Sequence, residues 1–71
     1  MITTLKKWEI RDKSNKVVSA GSLKLNGYTY ELHTLSEVIL VGIEAERHYE
    51  DFKEMNKMLA EYSGDTFIEV K

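Results

Sequence analysis

The run Ser22-Leu23-Lys24-Leu25-Asn26-Gly27-Tyr28-Thr29-Tyr30-Glu31-Leu32 limits what this chain can fold into more than any other stretch. Asn-Gly between two segments of alternating apolar and polar residues is the strongest short-range signal for a β-hairpin. A type I′ turn needs positive φ at both central positions, and these two residue types reach it at low cost. A two-residue loop at Asn26-Gly27 pairs Leu25 with Tyr28 and Leu23 with Tyr30, and brings Leu32 onto the same face. Ser22, Lys24, Thr29 and Glu31 take the other face, so burial and turn chemistry ask for one register.

Upstream, residues 6–12 alternate, with Trp8 and Ile10 on one side and Lys7, Glu9 and Arg11 on the other. This is a half-buried strand. A polar turn follows, in which Asn15 is the residue suited to positive φ. Pairing Asp12 with Val17 sets Trp8 against Gly21; pairing Asp12 with Lys16 moves Trp8 to the face of Val18 and Ala20. The first register is preferred, because it gathers the large apolar groups and lets the indole cover the bare backbone at Gly21. Residues 28–34 form a third strand. Residues 38–43, apolar without alternation and rich in β-branched side chains, read as a central strand buried on both faces. Ser36 could instead cap a helix there, but Gly42 and the β-branched residues oppose it.

From Ala45 to Tyr62 the period becomes helical. Ala45, Tyr49, Phe52, Asn56, Leu59 and Tyr62 form the inward stripe, with Met55 and Met58 beside it. Arg47, Asp51, Glu54, Lys57 and Glu61 take the outer face, where Arg47–Asp51 and Lys57–Glu61 are spaced as i,i+4 ion pairs. Gly64 is placed to end the helix in a left-handed cap. Residues 66–70 make a last short strand, turning either Phe67 or Ile68 and Val70 inward. The expected order is β-β-β-β-α-β over residues 1–71, one α+β domain with a single amphipathic helix on one face of a small antiparallel sheet.

Seventy-one residues leave little room for a deep catalytic pocket on its own scaffold. There is no cysteine, which closes thiol catalysis, thiolate metal sites and disulfides. Residues 1–7 lack the apolar core of a secretory leader, and no apolar run approaches a membrane span, so a cytoplasmic protein is expected. The serines stand in no Gly-x-Ser-x-Gly context, and the four glycines are scattered rather than gathered into a phosphate-binding loop. His33 and His48 fall short of the three or four converging ligands a metal wants. No cofactor, metal or enzymatic activity is expected.

Charge is uneven along the chain. Residues 1–27 hold six basic residues against two acidic, and residues 28–71 four against ten. Lys6, Lys7, Arg11, Lys13, Lys16 and Lys24 form a candidate basic patch for nucleic acid, with Trp8, Tyr28 and Tyr30 as candidate stacking platforms. Those aromatics share a face with Leu23, Leu25 and Leu32, however, which is a core signature. The preferred expectation is a small non-enzymatic protein-binding module, working as a homodimer, or as an adaptor or inhibitor of a larger protein as phage-encoded proteins of this size commonly do. The candidate interface is Val38, Ile39, Leu40, Val41 and Ile43, because one helix cannot cover apolar groups on both faces of a strand.

Overall fold

Residues 1–70 are described by a computed structural model of the chain. β1 (Ile2–Arg11), β2 (Val17–Asn26), β3 (Thr29–Thr34) and β4 (Val38–Val41) follow one another as an antiparallel meander. α1 (Ile43–Ser63) then carries the chain across one face of the sheet, and β5 (Thr66–Val70) pairs antiparallel with β1. The strand order is β4-β3-β2-β1-β5, so the architecture is the expected α+β one, with β4 and β5 as its edges.

Trp8 stands opposite Gly21, as the sequence asked. A Cβ on Gly21 would lie 2.5 Å from Trp8 Cε2 and Cζ2, so the indole rests directly on glycine backbone. The route to this register combines both alternatives. The turn closes between Asp12 and Lys16, whose N–H···O distance is 2.9 Å, with Asn15 at φ 63°. A β-bulge at Val18 then absorbs one residue between the Arg11–Val17 and Ile10–Ser19 pairs. A second bulge at Leu5 shifts the far end of the same ladder.

The second hairpin differs from expectation. Asn26 pairs with Thr29, Leu25 with Tyr30 and Leu23 with Leu32, which leaves Gly27 and Tyr28 as the loop. Only Gly27 has positive φ, 64°, and a glycine in the first loop position suits a type II′ turn. Asn26 stays in the strand and donates its side-chain N–H to Glu31 Oε2 at 3.1 Å. Moving the pairing by two residues preserves the faces, so Leu23, Tyr30 and Leu32 still meet Trp8 and Ile10. Tyr28 stands fully exposed at the tip, and Leu25 is half-buried outside the core cluster.

The core is Trp8, Ile10, Leu23, Leu32, Ala45, Tyr49 and Ala60, with Tyr30, Leu40, Phe52 and Phe67 packed around it. The Trp8 ring lies 5.7 Å from each of the Phe52 and Phe67 rings, tilted on the first and stacked on the second. Phe67 is thus the inward residue of β5, and Ile68 and Val70 lie on the opposite face with their partners Glu9 and Lys7. α1 begins after Gly42, at φ 90°, and ends at Gly64, at φ 75°. The Gly64 and Asp65 N–H groups donate to the Glu61 and Ala60 carbonyls, the two bonds of a Schellman cap.

The helix is rolled relative to its expected orientation. Ala45, Tyr49, Lys53 and Ala60 are buried, whereas Leu59 and Tyr62 are 60% and 96% exposed. Lys53 takes the inward place its spacing from Ala45 and Tyr49 allows, burying its stem while its ammonium reaches carboxylates. The expected i,i+4 ion pairs give way to others. Arg47 turns toward Glu44 at 4.0 Å, and Lys57 sits 5.9 Å over the Phe67 ring.

Candidate protein interface

β4 is an edge strand, which corrects its expected central place. β-branched residues favour an extended chain but do not decide where in a sheet the strand lies. β4 has two common features of edges: it is four residues long, and a bulge at Ile39 separates the Leu32–Leu40 and His33–Val38 pairs. It lacks a third, since none of its residues is charged. The bulge also breaks the expected alternation. Leu40 is half-buried against the core beneath α1, while Val38 and Val41 lie with His33 and Glu31 on the open face. Ile43 is the first residue of the helix rather than a strand residue, and it is exposed. The Gly42 N–H donates to the Tyr30 carbonyl at 2.7 Å. Antiparallel alternation therefore points the Val41 N–H and C=O away from β3, toward solvent.

Beside this edge, between β4 and α1, runs a groove of about 460 Å³. Leu32, Ile39, Leu40, Phe52 and Met55 make its apolar walls, and His48 and Asp51 are its two polar residues. His48 Nε2 lies 2.8 Å from Glu44 Oε2, which anchors the ring at the groove's upper rim. Met55, Met58, Leu59 and Tyr62 recur at helical spacing along the same flank and are all exposed. Of the five candidate interface residues, Ile39 and Leu40 adjoin this groove and the apolar helix flank assigned to the core from sequence, while Val38 and Val41 turn to the open face and Ile43 begins the helix.

The six basic candidates do not converge. Lys6 faces the helix, 3.5 Å from Glu50 and 5.7 Å from the centre of the Tyr49 ring. Lys7, Arg11 and Lys24 are on the open face, and Lys13 and Lys16 are in the β1–β2 turn. Arg11 is held by Glu9 at 2.9 Å and by the Asn15 carbonyl at 3.0 Å. Of the candidate stacking aromatics, Trp8 is buried, Tyr30 packs on the core, and Tyr28 stands at the hairpin tip.

The middle of the open face carries a shallow depression of about 310 Å³ over Gly21, bordered by Lys7, Glu9, Ser22 and Lys24, while Val38 and Val41 at one edge and Ile68 and Val70 at the other are exposed. It also holds a group that sequence reasoning missed. Glu31 and His33 share this face by strand alternation, and His33 Nε2 lies 2.8 Å from Glu31 Oε1. Hydrogen bonds from His33 and then Asn26 hold the Glu31 carboxyl below the usual carboxylate range. Ser22 is the cross-strand partner of His33. Among the described residues no hydrogen bond joins Ser22 to His33, and no group of three or more metal-ligating side chains occurs. No helix is long and apolar enough to cross a membrane.

Comparison with protein-family models, with curated proteins and with solved structures gives no match for this chain.

Proposed function

We propose that the protein is a small, non-enzymatic protein-binding module of the cytoplasm that receives its partner on β4 and the adjoining flank of α1. One observation carries this reading: an uncharged, unpaired strand edge and an apolar groove lie side by side. Strand addition at such an edge supplies directional backbone hydrogen bonds, and the groove supplies the apolar burial that makes them worth forming. A role as an adaptor, or as an inhibitor of a larger protein of the kind phages encode, fits a domain that offers a surface rather than a pocket. The runner-up, nucleic-acid binding through the basic residues, has less support, because those residues divide between two faces and a turn.

Photo-crosslinking residues placed singly at Val41, Met55 and Ser22 test the proposal in the host cell. The expected result is one and the same adducted protein at Val41 and Met55, lost when Ile39→Lys is added, and none at Ser22. Adducts confined to Ser22, or salt-sensitive binding of the purified protein to oligonucleotides, would overturn it.

A further inference from the structure

We infer that the partner received here is an extended apolar segment of another protein that carries a lysine or arginine, seated along β4 with its cation on Asp51. The inference rests on the protein-binding reading above and names the chemistry of the partner.

Asp51 stands in the groove with Leu40, Phe52 and Met55. Helical spacing offers it two neighbours able to carry positive charge, Arg47 four residues before it and His48 three before. Both are drawn to Glu44 instead. Arg47 Nη1 lies 4.0 Å from Glu44 Oε1, and His48 Nε2 lies 2.8 Å from Glu44 Oε2. Among the described residues Asp51 therefore has no ion pair, and the groove holds a carboxylate without a counter-charge.

That carboxylate selects the occupant. In the free protein Asp51 is exposed and hydrated. A wholly apolar segment laid in the groove would strip water from it and return nothing, a cost that a guanidinium or ammonium offsets. An acidic segment would add repulsion to the same loss. The strand leans the same way, since residues 35–43 contain Glu37 and no base. A second copy pairing through this strand would bring the same acids and no base from it, so a foreign basic segment is the better complement. The outward N–H and C=O of Val41 ask for an extended backbone, whose alternate side chains then reach the groove.

Short synthetic peptides of alternating valine and threonine test this, one flanked by arginines, one by glutamates, and one by arginines but N-methylated along its backbone. In anisotropy titrations the arginine peptide should bind about tenfold tighter than the other two, and more weakly as salt rises. Asp51→Lys, at an exposed position, should abolish the preference for arginine without shifting the urea melt, and Asp51→Glu should keep it. No measurable binding of the arginine peptide, equal affinity for the glutamate peptide, or a preference that survives Asp51→Lys overturns the inference. Crosslinking at Val41 and Met55 separates this failure from that of the wider reading. A foreign adduct at both positions that persists in Asp51→Lys overturns the basic partner alone and leaves the binding module standing, as does an adduct with a second copy of this chain. Absence of any adduct at either position overturns both.

Discussion

The two flanks of α1 meet the sheet in opposite ways. Toward β1 and β5 the seam is closed by charge laid over aromatic rings. Lys53 Nζ bridges Glu50 at 2.6 Å and Glu69 at 2.9 Å, Lys57 covers Phe67, and Lys6 lies over Tyr49 while pairing with Glu50. Toward β4, among the described residues, no ion pair joins helix to strand, and Ile39, Phe52 and Met55 line an open groove instead. One flank is closed and the other leaves apolar surface exposed. On the proposed reading stability falls to the β5 side and binding to the β4 side, and substitutions can separate the two.

Trp8→Ala should have the largest effect, because the closed side stacks Phe67 on this ring and the core packs Phe52 against it. Removing it should cost about 3–5 kcal/mol, enough to unfold much of a domain this small. Gly21→Ala attacks the same contact from the other side, since the new methyl would meet the indole at 2.5 Å. A loss of about 1–3 kcal/mol is expected, partly relieved in a Trp8→Phe background, whose smaller ring leaves room. Urea melts of the singles and the double measure this. Strict additivity would mean the indole is not what Gly21 accommodates.

Lys53→Met comes next. The stem remains buried, but the ammonium between two carboxylates is lost. Glu50 and Glu69 are partly exposed and can rehydrate, so the expected cost is only ~1–2 kcal/mol. Its pH dependence is more diagnostic. Hydrogen bonds to Glu50 and then Glu69 raise the Lys53 pKa, and the Lys53 hydrogen bond holds Glu50 below the usual carboxylate range. The Lys53 contribution is complete below the unfolded lysine value of about 10.4 and fades as pH rises through the higher folded value. The Glu50 contribution is present above the ordinary carboxylate value and fades as pH falls through the lowered one. Lys53→Met should therefore lower the stability plateau and flatten its acid limb. An acid limb as steep as in the wild type would show that Glu50 gains nothing from Lys53.

Legibility in the sequence follows the same division. Alternation placed Trp8, Ile10, Leu23 and Leu32 on one face, and the Trp8–Gly21 match survived because a bulge can repair a misjudged turn without moving the faces. The β4 side was harder to read. A bulge at Ile39 leaves no mark in composition, yet it sends Val38 and Leu40 to opposite faces. The roll of α1 was hidden for a related reason. Two apolar stripes share the helix, and one of the two carboxylates that receive the inward Lys53, Glu69, lies sixteen residues away on β5. Pairings between distant segments decide such choices, and periodicity within one segment does not carry them. The strand was named a candidate because one helix cannot cover apolar groups on both its faces; its edge position was not foreseen, and Val38 and Val41 lie on the face the helix does not cover.

Tyr49→Phe should have a small effect of the opposite sign. The Tyr49 hydroxyl is buried and has no hydrogen-bond partner among the described residues. Burial, reinforced by the nearby Glu69, pushes its pKa up to about 12. Removing an unpartnered polar atom should leave stability unchanged or raise it by up to ~1 kcal/mol. The unfolded tyrosine ionises near 10, so the wild type loses stability from about pH 10 until the folded value is passed, and the variant should lose less. A clear destabilisation at neutral pH would mean that the hydroxyl has a partner when the protein is in solution.

Leu59→Ala should have the smallest effect, and it bears most directly on the comparison. Leucine in an amphipathic stripe looks like core, and truncating a core leucine costs about 2–5 kcal/mol. Here Leu59 lies on the exposed flank, and alanine is the better helix former, so a change within ~0.5 kcal/mol is expected in dilute solution. Phe52→Ala, on the same flank but packed against Trp8, should cost several times more. A core-sized loss in dilute solution would place Leu59 against the sheet, and the open flank would then be closed as well.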